Sequence, residues 1–367
     1  MEWRARRLAD PIERLQFLRR QAAPGSVRSK SKWKQSRLTA AAFLLVLVTG
    51  GAVLVRSRAN PPVTASPKPR SVVREAATPA PSPAHVWLVD SGAGFDLYSN
   101  GLRVESQFST STSPRSYLAF SRARPSLQET ERRSDPAGIV FHTTESHMAP
   151  FEEKQNRALR RDGEGTLEYV SRRRSYHFVI DRFGRVFRIV RETDYANHAG
   201  NSIWADEERI YVNLNQSFFG IAFEAQSSAA ELPANSAQIH AARTLVEMLR
   251  ARYKIPSGNC VAHAQVSVNP VNGRAGYHTD WAANLPFEQL GLSNNYLRPP
   301  PSLTLFGFVA DAALLSAGSA GVAQGIEIAN QELEAGAAAR NVPIARYRRD
   351  LQERYRQAVA AERHTTP

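Results

Sequence analysis

The sequence predicts an α/β protein: a mixed central β-sheet flanked by helices, preceded by a single transmembrane helix and followed by a helical tail. Three observations point there. Eighteen uncharged residues, LTAAAFLLVLVTGGAVLV, occupy positions 38–55. Apolar strand-like runs and one long helical pattern alternate through residues 136–298. Beyond Pro299-Pro300-Pro301 the composition turns Ala-rich and helix-forming to the end. A chain of 367 residues is long enough for one or two full cores.

Residues 1–37 form a basic leader. Eleven Lys and Arg there stand against Glu2, Asp10 and Glu13, so +8 of the formal +13 lies in the leader and only +5 on the remaining 330 residues. That distribution excludes a nucleic-acid groove, since no aromatic-interleaved basic patch follows. The apolar run at 38–55 is at the lower end of what crosses a bilayer core. It has no amphipathic stripe and a Pro-rich stretch follows at once, which argues against a buried soluble helix. A cleaved signal peptide is the alternative. The long basic region and the lack of a small-x-small site favour an uncleaved signal anchor. The positive-inside rule then keeps the N-terminus in the cytoplasm and places the rest on the periplasmic or extracellular side of the cytoplasmic membrane.

Residues 56–85, including ATPAPSPA, read as an extended Pro-rich linker. Residues 86–135 form a small β-rich lead-in, from the alternation in VWLVD and LRVESQF, with no assignable chemistry. Within 136–298, AGIVFHT is a buried strand and SYHFVID another. Asp181-Arg182-Phe183-Gly184 turns into the return strand RVFRIV, and FFGIAFEAQ is a central strand. Ser236 caps a helix whose apolar positions Ile239, Ala242, Leu245, Val246, Leu249 and Tyr253 recur at helical spacing. NCVAHAQVS is a strand or strand end. Residues 299–367 are the C-terminal helical region. Its apolar stretch 303–322 holds Asp311 and three glycines, so a packed helix pair is expected there rather than a second span. The single cysteine, Cys260, excludes an intrachain disulfide and any multi-cysteine metal site.

Three residues stand out chemically. His142 ends a strand, His263 ends or interrupts another, and Asp280 lies in the polar segment YHTDW. Two imidazoles and a carboxylate are a frequent ligand set for catalytic zinc, with a fourth position left to water. Nine histidines allow many other pairings, so residue types alone leave the choice open.

The flanking residues narrow it. GIVFHTT, SYHFVIDRFGRVFRIV, NHAGNSIW, NLNQSFFGIAFE, VAHAQVS and HTDWAANLPFEQLGL occur in that order over residues 138–292. Together they resemble the type 2 N-acetylmuramoyl-L-alanine amidases, a family related to the peptidoglycan recognition proteins. The resemblance implies a zinc hydrolase that cuts the amide between N-acetylmuramic acid and L-alanine, with peptidoglycan or muropeptides as partner. It implies His142, His263 and Asp280 as zinc ligands. It places Tyr176 near the scissile carbonyl, and His278 where many members carry an oxyanion-stabilising lysine. His278 is also the alternative third ligand. His198, in the His-Ala-Gly loop, and Asn213 and Asn215, in the Asn-rich turn, fall on the substrate side. His177 reads as a core histidine. Two departures stand out. Ala222 replaces a glutamate that many members carry, leaving Glu224 on the same strand face as the substitute, or Tyr176 and His278 as the acting pair. The loop SVNPVNGRAGY is longer than the family's usual link to the third ligand. Two other readings stay open: a peptidoglycan-binding module of the same fold that does not cut, and an envelope scaffold whose C-terminal helices dock a protein partner.

Overall fold

Period-two alternation in the lead-in produces a three-stranded antiparallel meander, β1 (Leu88–Gly92), β2 (Phe95–Tyr98) and β3 (Arg103–Glu105). The computed structural model describes residues 83–123, 130–227 and 233–365, so the expected leader, signal anchor and nearly all of the linker lie outside the described residues. Among the described residues no helix is long and apolar enough to cross a membrane. Next come β4 (Tyr117–Ser121), β5 (Thr130–Arg133) and β6 (Gly138–Thr143), the last of which is buried at every position. Helix α1 (Asn156–Arg173) leads to β7 (Phe178–Ile180), and the turn at Asp181–Gly184 returns the chain as β8 (Val186–Arg188). Asp181 organises that turn: its Oδ1 accepts the N–H groups of Phe183 and Arg185. Gly184 takes the left-handed conformation (φ 78°) that the turn requires.

β9 (Ile203–Ala205), β10 (Arg209–Val212) and β11 (Phe218–Phe223) follow, then helix α2 (Ser236–Tyr253) and β12 (Cys260–Ala262). The N-cap of α2 is Asn235, one residue before the expected Ser236. Asn235 Oδ1 accepts from the Gln238 N–H, and Gln238 Oε1 accepts from the Asn235 N–H, a reciprocal capping box. The expected strand in NCVAHAQVS stops at Ala262, and His263–Val266 forms a single helical turn.

The main sheet has the order β1-β2-β3-β8-β7-β11-β6-β12, and a second sheet runs β5-β4-β10-β9. At the centre, β7, β11, β6 and β12 are parallel, while the strands toward the meander are mixed, which gives the expected α/β class. Both faces of parallel strands must be covered, and β6, β7, β11 and β12 are accordingly apolar and buried along their length. The long loop after His263 is a hairpin, β13 (Val268–Asn269) with β14 (Arg274–Ala275), and β15 (Val309–Ala310) adds to it.

The stretch 303–322 forms no simple helix pair. Glycines at 307 and 318 divide it into a helical turn, β15 and the short helix α3 (Ala312–Ala317), before α4 (Ala320–Ala339) and α5 (Ile344–Thr365). These helices are not a separate layer. Leu303, Phe308, Leu314, Ile326, Leu333, Leu351 and Tyr355 are buried in the same apolar cluster as Ile139, Phe219 and Leu245.

Candidate metal and catalytic site

Parallel strands of an open sheet present ligand-binding residues at their carboxyl ends. Here three such ends meet. The parallel register sets Ala222 of β11 beside His142 of β6, and Ala262 of β12 beside Phe141. His263, the next residue after β12, therefore comes alongside His142, with ring centroids 4.5 Å apart. The β13–β14 hairpin then returns the chain. The Gly276 N–H donates to the Ser267 carbonyl at 2.7 Å, and the Ala264 N–H to the Asp280 carbonyl at 3.3 Å. Trp281, buried against Phe223, donates its indole N–H to the His142 carbonyl at 3.0 Å. Asp280 is thus pinned to both histidine-bearing segments.

His142 Nδ1 lies 3.2 Å from Asp280 Oδ2, and His263 Nδ1 lies 2.9 and 3.0 Å from the two carboxylate oxygens. The ligand atoms of His142, His263 and Asp280 all fall within 4.8 Å of one another, and all three residues are buried. Tetrahedral zinc with bonds of about 2.0–2.1 Å sets its donors roughly 3.3 Å apart, so this donor set fits zinc in type and spacing. Burial pushes the His142 imidazole down to about 4, reinforced by His263, which leaves it neutral and ligand-competent at neutral pH. Burial opposes ionisation of Asp280, but the His263 and His142 imidazoles together outweigh it and hold the carboxyl well below its usual range.

Tyr176 does not lie in a strand as expected. The strand begins at Phe178, and Tyr176 takes a left-handed conformation (φ 64°) just past the α1 terminus. That backbone costs an aromatic residue on the order of 1 kcal/mol or more, and such strain concentrates at functional sites. It brings the Tyr176 ring to 5.1 Å from the His142 ring. Burial, then the charges of Asp280 and Glu145, raise its phenol well above the ordinary value, so it stays protonated. His278 stacks on His263 at 4.6 Å. Burial, then the His263 imidazole, push His278 down to about 3, so it is present as a neutral ring rather than the cationic alternative.

Glu224 has partners of its own. β11 ends at Phe223, and Glu224 Oε2 accepts the Arg182 N–H at 3.1 Å, with Gly163 of α1 facing the carboxylate. Among the described residues no hydrogen bond joins it to His142, His263 or Asp280. Burial pushes its carboxyl up to about 7.

His198 is buried, with Nδ1 3.1 Å from His142 Nε2 and Nε2 3.2 Å from the Phe218 carbonyl oxygen. Both ring nitrogens therefore face protein atoms. Asn215 Oδ1 accepts the N–H groups of His198 and Ala199, holding their loop, and Asn213 is a left-handed turn residue (φ 59°). His177 is the expected core histidine: Nδ1 accepts the Gly220 N–H and Nε2 donates to the Asp194 carbonyl. Glu145, three residues past His142 and left-handed (φ 50°), was not singled out in sequence. Its Oε1 accepts from Thr143 Oγ1 and the Ser227 N–H, and its charge reaches Tyr176.

The N-acetylmuramoyl-L-alanine amidase family model matches residues 132–280, a segment that contains both histidines and ends on Asp280. This segment belongs to the type 2 amidase family. No curated protein matches the chain. Among solved structures, the amidase AmiD of E. coli, in complex with anhydro-N-acetylmuramic acid-L-Ala-D-γ-Glu-L-Lys, is 23% identical with a TM-score of 0.33. That match covers 43% of this chain and 58% of that one. AmpDh3 of Pseudomonas aeruginosa is 23% identical over 43% of this chain and 61% of its own, with a TM-score of 0.32. The amidase LysC of Clostridium intestinale is 19% identical over 51% of this chain and 93% of its own, with a TM-score of 0.28. This chain thus spans about three fifths of the first two. The amidase segment holds β6 to β12 and reaches Asp280, while the meander and the C-terminal helices lie outside it.

Proposed function

We propose that the protein hydrolyses the amide between N-acetylmuramic acid and the L-alanine of a peptidoglycan stem, using zinc held by His142, His263 and Asp280. The convergence of these three side chains at the carboxyl ends of β6 and β12 carries the reading. When bound, zinc supplies Lewis acidity and lowers the pKa of a coordinated water toward neutrality. The remaining work belongs to the chain. Tyr176, protonated and held against His142, donates its O–H toward the carbonyl oxygen on which charge develops. His278, neutral and stacked on His263, offers one nitrogen as donor and the other as acceptor, so it orients water or carries a proton to the leaving amine. Asp280 balances the positive charge of the ion. Glu224, turned onto Arg182, stays outside these steps. Residues 38–55 anchor the chain in the cytoplasmic membrane, so the catalytic part meets the wall on the outer side.

The test is digestion of purified sacculi by the full chain, with mass spectrometry of the products and zinc quantification on the same sample. Free stem peptides beginning at L-alanine and about one zinc per chain are expected. His142→Ala and His263→Ala lose both, and stem release by a zinc-free double variant contradicts the reading. A second reading has one observation in its favour: Ala222 stands beside His142 where many family members carry glutamate. A binding module would retain sacculi without releasing stems, and the same digestion separates the two.

A further inference from the structure

We infer that His198 is a positioning residue that fixes the tautomer of His142 and thereby turns a bare Nδ1 lone pair toward the cation. The inference rests on the zinc-site reading above but concerns a residue outside the ligand set. It follows from counting protons along a chain of contacts. The Phe218 carbonyl has no proton to give, so the His198 Nε2 that lies 3.2 Å from it carries the hydrogen and donates. Among the described residues, the other groups acting on the His198 ring are the imidazoles of His142, His177 and His263 and the Cα of Gly220, none of them anionic. A buried ring in that setting is neutral, so its Nδ1 holds a lone pair and accepts.

That lone pair lies 3.1 Å from His142 Nε2, which must therefore carry a hydrogen and donate. A neutral His142 has only one ring hydrogen, so its Nδ1 is bare. This bare nitrogen lies 3.2 Å from Asp280 Oδ2, itself a lone-pair atom. Two acceptors facing each other in a buried site repel. A cation between them reverses that sign, and a metal-bound histidine characteristically donates its other N–H to an acceptor behind it.

The surroundings are built to hold the ring there. Asn215 Oδ1 takes both backbone N–H groups of the loop, at 2.9 Å from His198 and 2.7 Å from Ala199. Gly220 leaves the space: a Cβ there would lie 2.5 Å from His198 Cγ.

Two measurements on the full chain decide the matter. In the first, 15N-histidine NMR of the zinc-free protein reads the His142 tautomer directly. The Nε2–H form supports the inference, and the Nδ1–H form overturns it, with no variant needed. In the second, chelator competition with Zn2+ alone compares His198→Phe, which removes both polar contacts, with His198→Gln, which keeps an acceptor and a donor. Loss of about tenfold or more in zinc affinity is expected for the Phe variant. The Gln variant should stay within about threefold of wild type, showing that the loss tracks the hydrogen bonds. Unchanged affinity in a folded Phe variant overturns the inference. A wild-type chain that takes up no zinc defeats the hydrolase reading instead, and the tautomer spectrum still decides this one.

Discussion

At the scale of single residues, the site depends on side chains whose protonation is set by neighbours rather than by solvent. Gly220 shows how narrow the tolerance is. Its N–H donates to His177, and the His198 ring occupies the space that a Cβ would take. Gly220→Ala is expected to displace the His198 ring and cost about 1–3 kcal/mol by overpacking, read as a lowered melting temperature together with weakened zinc binding. A separate titration belongs to Glu362. Its carboxylate accepts the Leu118 N–H at 2.8 Å, and burial pushes it up to about 7 from an ordinary value of 4.5. A folded-state pKa raised this way gives stability that is present below about 4.5 and is lost as pH rises through about 7. Removing the charge with Glu362→Gln should therefore stabilise the protein relative to wild type at pH 8 and not at pH 4.5, as read by paired thermal melts. An offset that does not change with pH would contradict the assignment.

At the scale of elements, the helices and strands were legible where one period dominates. The α2 pattern from Ile239 to Tyr253 is helical throughout, and GIVFHT is apolar enough to be a doubly covered strand. What the pattern did not show was conformation at element ends. SYHFVID alternates like a strand from its first residue, yet the backbone reaches strand geometry only at Phe178, because Arg174 and Tyr176 are both left-handed after α1. The face argument for Glu224 held, since Glu224 lies with Ala222 on the α1 side of the sheet, but period two does not say that its carboxylate would be taken up by the Arg182 N–H. Of the site, the three ligand candidates and Tyr176 were readable because a motif surrounds each. The role of His198 was not, since it depends on a carbonyl twenty residues away in β11. The capping box at α2 offers a test at this scale. Asn235→Ala removes the acceptor for the Gln238 N–H and the donor to the Arg182 carbonyl, and should cost about 1 kcal/mol in denaturant unfolding.

At the scale of the whole molecule, the C-terminal helices share the core of the amidase segment instead of trailing behind it. Phe308, Leu333 and Tyr355 are almost completely buried, and Glu362 of α5 bonds across to Leu118 of β4. Ending the chain at residue 298 would remove all of them, each worth about 2–5 kcal/mol as a buried large side chain. Such a truncation should fail to fold, as seen by circular dichroism, rather than yield an active fragment. The same long-range packing brings together three segments as far apart in sequence as His142 and Asp280. Their meeting point is tested most directly by zinc-soaked crystals and the anomalous difference map at the zinc edge. The account predicts one strong peak in contact with His142 Nδ1, His263 and a carboxylate oxygen of Asp280. A peak that excludes Asp280 in favour of His278, or no peak at these residues, would contradict it.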